Sequence, residues 1–128
     1  MWEFAEKRSL PVLLHTWNDI EPLENVVPRY KHVKFILAHS GGGNSGRLEA
    51  VKLALKYKNV FLDSCGTYCS TLPLADAVKT LGAERFIFGS DAAYHNTAYE
   101  LAALLSMPLE DDLLRPILCK TIRDLVNI

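Results

Sequence analysis

The chain has 128 residues, of which 49% are apolar and 23% charged, and its net charge is near −1. This composition is typical of one globular domain with its own core and excludes a disordered chain. The near-neutral charge gives no sign of a nucleic-acid partner, and no apolar run approaches the roughly 18 residues that cross a bilayer. Three cysteines without a disulfide-framework spacing favour a reducing compartment, so we expect a cytoplasmic protein.

Short apolar runs alternate with helical patterns along the whole chain. Helical patterns are predicted over 2–8, 20–30, 46–57, 72–81, 96–105 and 110–126. The apolar runs are 11–15, 34–39, 59–63 and 85–89. Strands that alternate with helices are typical of right-handed βαβ units, so the sequence predicts an α/β fold with a parallel sheet.

A histidine or an aspartate follows at the end of each predicted strand. These residues are His15, His39, Asp63 and Asp91, so the strand ends are 24, 24 and 28 residues apart. That spacing suits the βα unit of a TIM barrel. All four runs are apolar on consecutive residues, so both faces of the sheet need cover. Four strands are half of an eight-stranded barrel, and we therefore predict a single half-barrel domain over 1–128 that needs further strands.

The polar residues at the strand ends predict a shared site. The carboxyl ends of parallel strands lie on one rim, so residues far apart in sequence meet there. Two imidazoles, His15 and His39, with the carboxylate of Asp91 have the chemistry of a divalent-metal site. The alternative for each residue alone is an ordinary polar side chain at a strand end.

Three segments carry a resemblance to a known family. They are PVLLH at 11–15, FILAHSGG at 35–42 and RFIFGSD at 85–91. Together they resemble the second half of the amidohydrolase-related (amidohydrolase 2) family, whose members are metal-dependent hydrolases and decarboxylases on a TIM barrel. The resemblance covers essentially the whole chain. It implies that His15, His39, Asp63 and Asp91 end the fifth to eighth strands of such a barrel.

The resemblance also implies a role for each residue. His15 is expected to be a metal ligand, and Asp91 either a ligand or the group that takes a proton from metal-bound water. His39 is expected to polarise the scissile group or to act as acid and base, and Asp63 to support the site residues from behind or to anchor a loop. The ion, Zn²⁺ or a similar one, would lower the pKa of its water to about 7 and so supply a nucleophile against a small-molecule substrate.

One family feature is missing from this sequence. The family takes two more ligands from a His-x-His on its first strand, and no His-x-His occurs here. His32 precedes a strand and is predicted on the opposite rim, whereas His95 is predicted at a helix start. The alternative function is therefore a catalytically incomplete half-barrel that serves as an assembly or binding module. It would act as a homo-oligomer in which two copies close an eight-stranded barrel, or beside a missing N-terminal half.

Two other stretches offer competing sites. The stretch 41–47, GGGNSGR, has the spacing of a phosphate loop between a strand and a helix, but lacks the Lys-Ser/Thr that should follow. We interpret it as a strand–helix turn. Cys65 and Cys69 form a Cys-x₃-Cys pair that would bind metal or form a redox couple, although the pair matches no strong motif.

Overall fold

The strands form one parallel sheet. The computed structural model describes residues 1–66 and 71–128, and within them the strand order is β1-β2-β3-β4. The strands are β1 (Pro11–Leu14), β2 (Lys34–Leu37), β3 (Val60–Asp63) and β4 (Phe86–Ile87). All three pairings are parallel. The predicted α/β fold with parallel βα units is confirmed.

Helices follow and connect the strands. They are α1 (Trp2–Arg8), α2 (Glu21–Val26), α3 (Asn44–Lys56), α4 (Thr71–Leu81), α5 (Thr97–Leu105), α6 (Asp111–Arg115) and α7 (Thr121–Val126). A π-helical turn, Pro116–Lys120, joins α6 to α7, because proline interrupts the regular hydrogen-bond ladder. In the part of the chain that is described, no helix combines the length and the apolar character needed to cross a membrane.

Two predicted strands are shorter than expected. β2 ends at Leu37 because the chain turns sharply over the next residues, Ala38–Gly41. β4 has only two residues, and the backbone N–H of Phe88 beyond it donates to the carbonyl of Ile117 at 2.8 Å. The C-terminal helical segment thus takes up a backbone group that a longer strand would offer to a neighbour.

The sheet is apolar on both faces, as predicted. Phe35 and Leu37 of β2 are fully buried in the main core, which also holds apolar residues of α3 and α4. On the other face Ile36 packs with Ile87 and with Leu125 of α7. Leu13 of β1 pairs in register with Ile36, yet its side chain is 59% exposed. The second face is therefore covered by α7 in part and open at the β1 edge.

Arg85 ties two successive βα units together. Its Nη2 donates to the carbonyls of Ala54 at 3.0 Å and Tyr57 at 2.9 Å, and its Nε donates to the carbonyl of Val60 at 3.1 Å. The first two carbonyls lie at the end of α3 and the third begins β3. A planar guanidinium satisfies several acceptors at once, which an ammonium group does not.

Glu6 on α1 holds the backbone that leads into β2. Its carboxylate accepts the backbone N–H groups of His32 at 2.9 Å and Val33 at 3.1 Å, and it lies 2.7 Å from Nδ1 of His32. Partial burial alone would raise the pKa of Glu6, but these hydrogen bonds outweigh it and lower the pKa below its ordinary value of 4.5. His32 is exposed and lies away from the other rim, as its sequence position indicated.

Glu6→Gln is expected to change the pH dependence of stability. A carboxyl with a lowered pKa in the folded state stabilises the protein above its unfolded-state pKa and loses that contribution as the pH falls through the folded-state pKa. The wild type should therefore exceed Glu6→Gln in free energy of unfolding above pH 4.5 and converge with it in more acidic solution. Urea unfolding at a series of pH values measures this. Glu3→Gln, on the same helix, is the control, and an equal response of both variants would contradict the role of Glu6.

Candidate active site

Two imidazoles meet at the carboxyl end of the sheet. His15 directly follows β1, and His39 lies in the turn after β2. Their Nε2 atoms are 2.9 Å apart, and the ring centroids are 4.8 Å apart. Residues that are 24 positions apart in the sequence thus come into direct contact, because parallel strands end on one rim.

The sequence predicted His39 as the last residue of the second strand. In the structure it lies instead in a strained turn after β2. Its φ is 54° and that of Ser40 is 51°, in the left-handed region that costs an L-residue about 1–2 kcal/mol. Asp63 at the end of β3 holds both residues. Its Oδ1 accepts the backbone N–H of His39 at 2.8 Å, and its main-chain oxygen accepts the Ser40 hydroxyl at 2.5 Å.

The ring of His39 is fixed from behind by Cys65. Nδ1 of His39 lies 3.3 Å from the carbonyl oxygen of Cys65 and 3.4 Å from its Sγ. The thiol itself donates to Oδ1 of Asp63 at 3.0 Å, which leaves the sulfur lone pairs for the ring. With acceptors on that side, we assign the proton of the neutral ring to Nδ1. Nε2 is then the unprotonated nitrogen, and it points toward His15.

Cys65 is a structural thiol. It is buried, and burial together with the neighbouring Asp63 carboxylate raises its pKa far above the ordinary range of a thiol. A thiol that stays protonated is a poor nucleophile and a poor metal ligand. Cys69, the other half of the predicted Cys-x₃-Cys pair, lies outside the described residues, so the pair stays a prediction.

An open pocket of about 620 Å³ lies in front of the two imidazoles. It is lined by His15, Trp17, Asn18, His39, Gly42, Gly43, Arg47, Gly66, Asp91 and Tyr94. Asp91 has a φ of 51°, and its main-chain oxygen accepts the N–H groups of Tyr94 at 2.9 Å and His95 at 3.0 Å, which fixes this turn. The structure therefore brings His15, His39 and Asp91 to one pocket, with Asp63 buried behind it.

Trp17 and Arg47 are among the residues of the pocket wall that were not predicted as site residues from the sequence. Trp17 is 75% exposed, and its ring stacks on His15 with centroids 5.0 Å apart and planes at 12°. Arg47, in the first turn of α3, is only 5% exposed, and its Nη1 donates to Oδ1 of Asn44 at 3.3 Å. The available signals were an aromatic residue two positions after a strand-end histidine and a cation that closes the glycine-rich stretch.

The glycine-rich stretch is a packed turn. Gly42 has a φ of 109°, and a Cβ there would come within 2.9 Å of Asn18. The N–H of Gly42 donates to the carbonyl of His39, and the N–H of Gly46 donates to Oδ1 of Asn18 at 3.2 Å. Because these donors are already used within the chain, the stretch fits the interpretation as a strand–helix turn better than that of a phosphate loop.

The donors at the rim fit a divalent metal in type. Imidazole and carboxylate are ordinary ligands of zinc and suit other divalent ions such as manganese. Across 1–66 and 71–128, however, no group of three or more His, Cys, Asp or Glu side chains is arranged to hold an ion. His95 pairs with Glu100 at 3.1 Å instead of lining the pocket. His15 and Asp91 thus fit as part of a ligand set.

The family model described as amidohydrolase matches residues 1–128. The chain belongs to the amidohydrolase family. The family resemblance predicted from the sequence motifs is therefore confirmed. No curated protein matches this amidohydrolase chain.

Solved structures show the same fold. An uncharacterized TIM-barrel protein from Bordetella bronchiseptica superposes with a TM-score of 0.82 at 19% identity, covering 98% of this chain and 48% of its own. A putative 2-pyrone-4,6-dicarboxylic acid hydrolase from Pseudomonas putida gives 0.81 at 20% identity, with coverages of 99% and 55%. A dihydroxybenzoic acid decarboxylase from Polaromonas, with bound manganese and the inhibitor 2-nitroresorcinol, gives 0.73 at 15% identity, with coverages of 98% and 52%. This amidohydrolase chain spans about half the length of these TIM-barrel structures.

Proposed function

We propose that this chain carries part of the active site of a metal-dependent hydrolase, or of the related decarboxylases, that acts on a small planar carboxylic acid. The observation that carries the proposal is the 2.9 Å contact between the Nε2 atoms of His15 and His39 at the wall of a pocket that Asp91 also lines. Membership of the amidohydrolase family supports the reaction class.

His15 and Asp91 are the proposed metal ligands, in agreement with the roles that the family resemblance implied. Zinc and manganese are both suited to an imidazole–carboxylate pair, and the Polaromonas structure contains manganese. A bound divalent ion supplies a Lewis acid and a water whose pKa is lowered to about 7. Across 1–66 and 71–128 these two residues belong to no group of three or more possible ligands, so we propose that further ligands complete the set.

His39 is the proposed acid–base residue. Its Nδ1 is held by the carbonyl and sulfur of Cys65, and its Nε2 faces the pocket. A nitrogen without a proton accepts one from a reacting group and later returns it, provided that the ring does not turn. The contacts behind the ring keep the orientation that this transfer needs.

The side chains of Trp17 and Arg47 are suited to bind a planar anionic substrate. The exposed Trp17 ring offers an apolar face beside His15, and Arg47 supplies a positive charge at the buried side of the pocket. A guanidinium binds carboxylates with well-defined geometry. Two of the similar structures are named for substrates of this kind, a pyrone dicarboxylic acid and a dihydroxybenzoic acid.

The experiment measures binding of Mn²⁺ alone and then of these two acids to the metal-loaded protein. His15→Ala and Asp91→Asn should each weaken Mn²⁺ binding by at least about tenfold, since even indirect partners of a ligand contribute about 10–100-fold. Arg47→Met should weaken the acids and leave Mn²⁺ unchanged. His32→Ala, which alters an imidazole far from the pocket, is the control. Mn²⁺ affinities equal to that of the wild type in both ligand variants would overturn the site.

An assembly module remains the second candidate. Leu13 is 59% exposed on the edge strand β1, on the sheet face that α7 covers only in part. A second copy that pairs with this edge would bury it and supply four more strands. Light scattering would then show a dimer whose stability depends on Leu13, and a monomer at high concentration would exclude this function.

A further inference from the structure

The orientation of His39 depends on a conformation that its own sequence does not favour. Two consecutive residues other than glycine, His39 and Ser40, have positive φ. Such backbone persists where the surroundings over-determine it. The groups that hold this turn therefore decide where the imidazole points.

Asp63 supplies the hydrogen bonds that hold the turn. Its Oδ1 accepts the N–H of His39 at 2.8 Å, and its main-chain oxygen accepts the hydroxyl of Ser40 at 2.5 Å. One residue of the neighbouring strand thus binds both strained residues. Asp63 does not line the pocket, so it acts on a ligand only through His39.

The carboxylate of Asp63 is itself fixed by Cys65. Oδ1 accepts the backbone N–H of Cys65 at 3.2 Å and its thiol at 3.0 Å, and Asp63 is only 4% exposed. The carbonyl and sulfur of the same cysteine meet Nδ1 of His39. Asp63 therefore holds the backbone of His39 through a hydrogen bond, while its partner Cys65 contacts the ring.

We propose that Asp63 is a positioning residue, whose carboxylate sets the direction in which Nε2 of His39 faces His15 and the pocket. Its importance for catalysis rests on the proposed acid–base role of His39. The geometric claim itself concerns the protein without metal or substrate, so it is tested separately from that function.

The test is NMR spectroscopy of the full chain with labelled histidines. In the wild type we expect nuclear Overhauser effects between the rings of His15 and His39 and a downfield backbone amide proton of His39. Asp63→Ala removes the acceptor and should abolish these effects. Asp63→Asn keeps an oxygen acceptor without the charge. It should therefore restore the Overhauser effects between the two rings, while the His39 amide proton moves upfield relative to the wild type. Asp76→Asn, an exposed aspartate on α4, is the control.

Two results would overturn the proposal. One is a folded Asp63→Ala protein that retains the wild-type Overhauser effects between the rings. The other is an unchanged His39 amide proton in Asp63→Asn, which decides the matter if Asp63→Ala fails to fold.

If the acids named above are turned over by the metal-loaded protein, Asp63→Ala should lower kcat more than it changes KM, with recovery in Asp63→Asn. Separation of the two rings in Asp63→Ala, beside Mn²⁺ affinities that His15→Ala and Asp91→Asn both leave at the wild-type value, would overturn the proposed function and leave the positioning role standing.

Discussion

Replacing Phe35 by alanine is expected to lower the free energy of unfolding by about 3–5 kcal/mol. Phe35 is fully buried in β2, and its ring packs 5.3 Å from that of Trp2 on α1. Its removal leaves a cavity between the sheet and its helices, where close-packed neighbours collapse only in part. Small domains are stable by only about 5–15 kcal/mol, so the loss is a large share of the total. Urea denaturation followed by far-UV circular dichroism measures it.

Leu13→Ala is the matched control on the other face of the sheet. Leu13 lies on the neighbouring strand but is largely exposed, so its truncation should cost about 1 kcal/mol or less. A loss as large as that of Phe35→Ala would contradict this and would mean that the β1 edge is covered in solution. A dependence of that loss on protein concentration would then identify a second copy as the cover.

Gly66→Ala should displace His39 without removing any polar group. Gly66 has a φ of 61°, and a Cβ there would collide with Nδ1 of His39 and lie 3.1 Å from its Cε1. The left-handed backbone and the crowding together should cost about 2–4 kcal/mol of stability. The ring must turn away from Cys65, so it should no longer touch His15. NMR of the two rings and urea unfolding measure the two effects.

Gly43→Ala serves as the control for this change. Gly43 has an ordinary negative φ of −68°, and its added Cβ would meet only Oδ1 of Asn18 at 3.4 Å. It begins α3, where alanine is a poorer cap than glycine, so a cost of about 1 kcal/mol or less is expected. If both glycine variants kept the two rings together, the wall formed by Gly66 would not be what places His39.

The sequence predicted the order of strands and helices because consecutive apolar runs and helical periodicity report burial directly. It also predicted that His15 and His39 share a rim, since parallel strands leave their carboxyl ends together. The left-handed turn at His39 was not predictable, because it is held by Asp63, a residue 24 positions away. Local propensity carries no record of such a contact.

The pocket wall was harder to predict than its centre. Trp17 and Arg47 stand on loops and at a helix start, where no periodicity fixes the direction of a side chain. Arg47 looked like the end of a glycine-rich turn, and only the folded chain places it in the wall of the pocket that the two histidines also line. The shortness of β4 has a similar cause, because the backbone N–H that follows it donates to the carbonyl of Ile117 in the C-terminal segment.

The hydrogen bonds of the Arg85 guanidinium affect which parts of the chain unfold together. The guanidinium joins the end of α3 to β3 and stands directly before β4, so none of these elements detaches without exposing carbonyls that it satisfies. Breaking hydrogen bonds to a charged group costs about 1.5–3 kcal/mol each. α3, β3 and β4 are therefore expected to open together. The turn that carries His39 is held by β3. The geometry of the rim is therefore expected to persist until these elements open.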